Sequence, residues 1–218
     1  MSHLIVFDLD GTLVDTAPDL LGALNVALAA EGLGPLNLDV VRTLVGAGVR
    51  VLVERGLAHH GRSLPEARID GLMKVFLAHY SEHIADTSRP YPGVLDSLMD
   101  LKSQGWRFAV CTNKLEAYSV ELIRRLKMAH WFEAICGGDT FSFRKPDPRH
   151  LTETISRAGG GRAIMIGDSR TDVDTARAAG IPVIGVSFGY TDTPMVELKP
   201  DVLIDHFSEL AEAIHRVT

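Results

Sequence analysis

The feature that most constrains this chain is an apolar run, Leu4 to Phe7, that ends in two aspartates one residue apart, Asp8 and Asp10, followed at once by Gly11 and Thr12. A short apolar run of this kind reads as a buried strand. Side chains alternate faces along a strand, so a strand continuing past Asp8 would drive carboxylates into apolar core, where an unpaired charge is costly. The conflict disappears if the strand stops at Asp8 and the chain turns at Gly11. Both carboxylates then stand at the carboxyl edge of a sheet, where open α/β folds bind their ligands. Two close carboxylates repel, which a divalent cation or a splitting of their pKa values relieves. A plain strand-end turn is the alternative reading of these five residues taken alone, since Asp and Gly are common turn formers.

Past Asp15 the pattern turns helical for some seventy residues. Pro18 suits a first helical turn, and Leu20, Leu24 and Leu28 repeat at i+4 until Gly32 and Gly34. Further helices are predicted over 38–45, 49–59 and 65–85, the last with one apolar face from Ile69 to Ile84. Four helices with short loops read as a small bundle. At Ser88-Arg89-Pro90-Tyr91-Pro92-Gly93 the period changes, and the prolines stiffen the connection. Helix and strand then alternate, with helices predicted at 94–104, 115–127, 148–158, 170–179 and 207–216. The intervening strands are predicted at 107–111, 134–136, 163–166, 182–186 and 202–204. Repeated βα units imply an α/β fold, a Rossmann-like parallel sheet with helices on both faces. The first strand belongs to that sheet, so the four-helix segment is an insertion after it.

At 218 residues the chain is long enough for one large domain or one domain with an insert. A net charge of −6, with no basic block to offset it, argues against nucleic acid or an anionic membrane as partner. No apolar run approaches the roughly 20 residues of a membrane span. The first strand begins within the first five residues, so no signal peptide is expected and a cytoplasmic location is. Cys111 and Cys136, in apolar surroundings, are expected to be reduced core residues.

Each core strand hands polar residues to one edge. Strand 107–111 runs into Thr112, Asn113 and Lys114; Lys145 lies between two further strands; strand 163–166 runs into Gly167, Asp168, Ser169 and Asp172. Each group has an ordinary explanation of its own. Thr112 and Asn113 also suit a helix cap, Lys145 a solvated surface position, and Ser169 with Asp172 a capping box. What the separate explanations do not cover is the coincidence of two acidic pairs, a donor pair and a lysine at one edge. That set suits a phosphoryl group and a hard divalent cation. The pair His59 and His60 reads as surface rather than as a metal site.

The four segments resemble, in order, the four motifs of the haloacid dehalogenase superfamily of phosphotransferases: Asp-x-Asp-Gly-Thr at 8–12, Thr112, Lys145, and Gly167-Asp168 with Asp172. A helical insert directly after the first motif is similar to that superfamily's C1-type cap. The resemblance divides the chain into a core over 1–15 and 88–218 and a helical cap over 16–87. Leu13-Val-Asp-Thr-Ala-Pro-Asp19, Val41-Arg-Thr-Leu-Val-Gly-Ala-Gly48 and Gly189-Tyr190 are further similar to bacterial phosphoglycolate phosphatases.

The resemblance implies that Asp8 attacks phosphorus to form an aspartyl-phosphate and that Asp10 serves as acid and then base. It implies Mg2+ held by Asp8, the backbone carbonyl of Asp10, Asp168 and Asp172, with Thr112, Asn113 and Lys145 holding the phosphoryl oxygens. Gly11 and Thr12, within the first motif, are expected beside the phosphate. In the cap, Gly46 and Gly48 are the expected substrate-facing positions, and Arg50 is a candidate partner for a substrate carboxylate. An acid at position 10, which the superfamily's dehalogenases lack, favours phosphoryl transfer. The expected activity is hydrolysis of a small phosphate monoester, 2-phosphoglycolate first, in a monomer or homodimer. A sugar phosphomutase of the β-phosphoglucomutase type is the nearest enzymatic alternative, and a phospho-accepting receiver domain is a remote one.

Overall fold

The computed structural model describes residues 3–218, so the first two residues of the core segment 1–15 lie outside it. The chain opens with β1 (His3–Phe7), followed by a two-residue strand, β2 (Val14–Asp15). Four helices come next: α1 (Ala17–Ala29), α2 (Leu38–Leu44), α3 (Val49–His59) and α4 (Glu66–Glu82). A second short strand, β3 (Arg89–Pro90), returns antiparallel to β2. The rest alternates as α5 (Val94–Ser103), β4 (Arg107–Cys111), α6 (Glu116–Arg125), β5 (Phe132–Cys136), α7 (Pro148–Arg157), β6 (Arg162–Gly167), α8 (Arg170–Ala178), β7 (Val183–Val186), α9 (Met195–Leu198), β8 (Val202–Ile204) and α10 (Leu210–Val217).

The six long strands form one parallel sheet in the order β5-β4-β1-β6-β7-β8. From β1 the chain moves outward to β4 and β5, then crosses back to place β6 on the other side of β1. The carboxyl end of β1 therefore lies at the point where the strand order reverses, with β4 and β6 as neighbours. Both faces of the sheet are covered, which is why its strands read as unbroken apolar runs. Ile5, Phe7, Phe108, Val110 and Ile166 face a large cluster that continues into the helices after β2, including Leu24, Leu28 and Phe76. Leu4, Val6, Ala109, Cys111 and Met165 face a second, smaller cluster. The alternation of Leu4 and Val6 against Ile5 and Phe7 is the period-two rule of a strand with two dry faces.

Helix ends fall within three residues of the sequence expectations. β5 begins at Phe132, two residues early, because it pairs with Phe108 across a register shift. Cys111 and Cys136 are neighbours in register on β4 and β5, both buried free thiols. The two-residue strands β2 and β3 carry no periodic signal and were not anticipated. They bring the two connections of the helical insertion side by side. Asp19, at the start of α1, ties the same place from above, accepting from the backbone amides of Thr87 at 3.0 Å and Ser88 at 2.8 Å and from the Ser88 hydroxyl at 2.6 Å. Burial alone disfavours the Asp19 carboxylate, but these hydrogen bonds outweigh it and hold its pKa below the usual range. Among the described residues no helix is long and apolar enough to cross a membrane.

Candidate active site

Asp8 follows β1 directly, and its backbone amide donates to Ile166 on β6 at 2.9 Å, so the strand's hydrogen bonding carries it to the sheet edge. The amide of Leu9 donates to Asp8 Oδ1 at 2.7 Å, and Lys145 Nζ sits 3.1 Å from the same oxygen. Among the described residues both donors fall on Oδ1, which leaves Oδ2 as the oxygen without a donor. Burial pushes the Asp8 carboxyl up to about 6 against the pull of the Lys145 ammonium, with Asp172 and Asp10 adding to the rise.

Lys145 is 2% exposed. A cation this buried needs partners, and it has two: Asp172 Oδ1 at 2.5 Å and Asp8. Burial works against its ammonium, but Asp172 and Asp8 outweigh it and raise its pKa. Asp172 Oδ2 accepts from the amides of Asp168 (3.2 Å) and Ser169 (3.1 Å) and from the Ser169 hydroxyl (2.6 Å). The capping box read from Ser169 and Asp172 is therefore present, and the same carboxylate spends its other oxygen on Lys145.

Asp168 is held by the Thr12 hydroxyl at 2.8 Å on Oδ1 and the Tyr190 amide at 2.5 Å on Oδ2. Burial and then the charges of Asp172 and Asp8 raise its pKa well above the carboxylate range. Gly11 turns at a φ of +83°, a region open to glycine, and a methyl there would overlap Asp168 Oδ2. Gly11 and Thr12 thus lie against Asp168 and do not line the cavity described below. The turn at Gly11 folds Thr12 back toward Asp168 at the end of β6.

Asp8, Asp168 and Asp172 each offer a carboxylate oxygen, and the three oxygens lie within 4.8 Å of one another. Three buried carboxylates face one ammonium here, and the surplus negative charge fits a divalent cation with oxygen preference. This cluster contains no histidine. The Asp10 side chain is not in it. Thr16 donates to Asp10 Oδ1 at 2.8 Å, and Lys114 Nζ lies 3.1 and 3.3 Å from its two oxygens.

Asp8 and Asp10 open onto a cavity of about 50 Å3 between the sheet edge and the helical insertion. Thr112, Asn113, Gly46 and Gly48 line it, and Leu20, Leu52 and Phe76 make its far wall apolar. Asn113 Nδ2 bridges core and insertion, donating to the carbonyl of Lys145 at 3.1 Å and that of Gly46 at 3.4 Å. Arg50 is not there. It pairs with Asp70 on α4 and lies 3.9 Å from Glu54, on the solvent side of α3. At the start of a helix, one turn from Glu54, the arginine finds acidic partners outside the cavity more readily than within its apolar wall. Lys114 and, from α4, Tyr80 line it with no role assigned from sequence; the Tyr80 hydroxyl accepts from Lys114 Nζ at 2.7 Å. The signal was present in the lysine directly after Thr112 and Asn113, but nothing in the sequence tied it to Tyr80.

Residues 5–186 match the family model described as haloacid dehalogenase-like hydrolase. The chain belongs to the haloacid dehalogenase-like hydrolases. Within that family it is 54% identical to the phosphoglycolate phosphatase of Mesorhizobium japonicum over 98% of this chain and 96% of that protein. It is 51% identical to the phosphoglycolate phosphatase of Agrobacterium fabrum over 98% and 93%. A crystal structure from Haemophilus somnus, described as a predicted phosphoglycolate phosphatase, superposes with a TM-score of 0.90 at 32% identity and covers 97% of each chain. As a haloacid dehalogenase-like hydrolase, the chain carries all four acidic, hydroxyl and lysine segments at one sheet edge.

Proposed function

We infer that this haloacid dehalogenase-like hydrolase is a phosphoric monoester hydrolase that converts 2-phosphoglycolate to glycolate and phosphate. The observation that carries the reading is Asp8: a buried carboxylate with one oxygen held by Leu9 and Lys145, the other without a donor, at the floor of a cavity between the sheet edge and the helical insertion. Relatives at 54 and 51% identity over nearly the full chain bear the name of that activity.

In this reading Asp8 Oδ2 attacks phosphorus, the ester bond breaks, and Asp10 gives a proton to the departing alkoxide oxygen. Asp10 then takes a proton from the water that attacks the aspartyl-phosphate, which releases phosphate and restores Asp8. Thr112, the Asn113 backbone and Lys145 hold the phosphoryl oxygens as charge builds on them. Asp8, Asp168 and the Asp10 carbonyl are the proposed Mg2+ ligands. Asp172 stands beside them, as a further ligand or as the group that holds Lys145 and the Asp168 amide in place. Mg2+, when bound, offsets the repulsion between the Asp8 carboxylate and the phosphate. We assign residues 16–87 as the cap that closes over residues 1–15 and 88–218, excluding water from the site.

The experiment is phosphate release, with Mg2+, from a panel containing 2-phosphoglycolate, hexose phosphates and nucleotides. The expected result is a kcat/KM for 2-phosphoglycolate at least tenfold above the others. A hexose phosphate or nucleotide ranking first would overturn the substrate assignment.

A further inference from the structure

The cavity has two acidic groups, Asp8 and Asp10, at its floor and an apolar far wall; among the described residues lining it, Lys114 is the one cation. A substrate whose leaving group carries a carboxylate must bury that charge here, and a desolvated anion without a counter-charge is costly. Arg50, facing away and paired with Asp70, does not supply one.

The position of Lys114 suits the task. Its Nζ lies 3.1 and 3.3 Å from the oxygens of Asp10, the group assigned to the leaving-group oxygen. In an ester O–CH2–COO−, the carboxylate carbon is two bonds beyond that oxygen. A cation within hydrogen-bond reach of Asp10 is therefore within reach of the carboxylate as well. An ammonium has three N–H donors; both Asp10 oxygens and the Tyr80 hydroxyl accept from it, and the longest of these contacts, 3.3 Å to Asp10 Oδ2, is the one an incoming carboxylate can take over. Tyr80 is 2% exposed and packs against Tyr118 of α6 with centroids 5.9 Å apart. Lys114 is thus gripped from the core by Asp10 and from the helical insertion by Tyr80.

We propose that Lys114 is the specificity-determining residue of this site, its ammonium pairing with a carboxylate on the leaving group while the Tyr80 hydroxyl positions it. The proposal rests on the 2-phosphoglycolate reading above and names the side chain that enforces it. A phosphate monoester of the same size without the carboxylate leaves Lys114 with Asp10 and Tyr80 alone, gains no ion pair there and binds less well.

The test compares 2-phosphoglycolate with ethyl phosphate, which has the same O–C–C skeleton and no carboxylate. Wild-type protein is expected to favour 2-phosphoglycolate by at least about a hundredfold in kcat/KM. Lys114→Met lowers that ratio at least thirtyfold, chiefly through KM for 2-phosphoglycolate, and Lys114→Arg restores part of it. Tyr80→Phe, which removes one hydroxyl, lowers the ratio three- to tenfold and decides the matter if Lys114→Met does not fold. A wild-type ratio near one overturns the 2-phosphoglycolate reading and this proposal with it. A high wild-type ratio that survives Lys114→Met, with both substrates slowed by the same factor, overturns this proposal alone, as does an unchanged ratio in Tyr80→Phe.

Discussion

The Thr12 hydroxyl donates to Asp168 Oδ1 at 2.8 Å, joining the turn after β1 to the end of β6 across 156 residues of chain. Thr12→Val keeps the shape of the side chain and removes the donor. Hydrogen bonds to charged groups are worth about 1.5–3 kcal/mol, and the lost bond frees a proposed metal ligand to move. The Mg2+ concentration for half-maximal phosphate release is expected to rise about tenfold, read from a Mg2+ titration. An unchanged half-saturation would remove Asp168 from the ligand set.

Lys145, itself buried, balances Asp8 and Asp172. Removing one partner of a buried ion pair strands the other charge, at about 3–5 kcal/mol. Lys145→Met is therefore expected to lose about that much stability at pH 7 in urea unfolding, besides losing activity. Added Mg2+ is expected to return part of the stability, since a ligand that binds only the folded state at a hundred times its Kd contributes about 2.7 kcal/mol.

His150, on α7 and fully buried, accepts from the Lys145 amide through Nδ1 at 3.2 Å. Burial and the nearby Lys145 charge lower its pKa to about 4 from an ordinary 6.5. The folded protein thus resists a proton that the unfolded chain accepts. Stability from the neutral ring is complete above pH 6.5 and is lost as pH falls from there toward 4, by about 3 kcal/mol in all. Urea unfolding of wild type and His150→Asn between pH 7 and 4 checks this. The wild-type protein is expected to show the steeper decline, and parallel curves would show that His150 is not the titrating group.

Gly11 turns left-handed directly against Asp168. Gly11→Ala strains the backbone and overlaps the carboxylate, so phosphate release is expected to fall at least about a hundredfold, since misplacing a reacting group by about 1 Å costs that order. A melting curve separates this displacement from simple unfolding.

Much of this site was readable before any coordinates. Asp8, Thr112 and Asp168 each follow an apolar strand, and a parallel sheet must deliver strand ends to one edge. The insertion was legible because the helical pattern that starts with Leu20, Leu24 and Leu28 continues for some seventy residues, four helices where one crossover helix would do. Contacts made across the seam between insertion and sheet were not legible. Lys114 meets Tyr80 34 residues away, and the Tyr190 amide meets Asp168, through tertiary placement that no local period encodes. Arg50 shows the same limit: its helix could be placed from sequence, but its pairing with Asp70 on another helix could not. The contacts of Gly11 and Thr12 with Asp168 were not legible either, because a glycine turn sets which way the next side chain points.

The central claim is that Asp8 is the nucleophile. The most direct measurement is the rate of Mg2+-dependent phosphate release from 2-phosphoglycolate by Asp8→Asn, which keeps the volume and the Leu9 hydrogen bond but removes the attacking carboxylate. The rate is expected to fall at least about a thousandfold, roughly 4 kcal/mol of barrier, with the fold intact by its melting curve. Phosphate release near the wild-type rate would contradict the account.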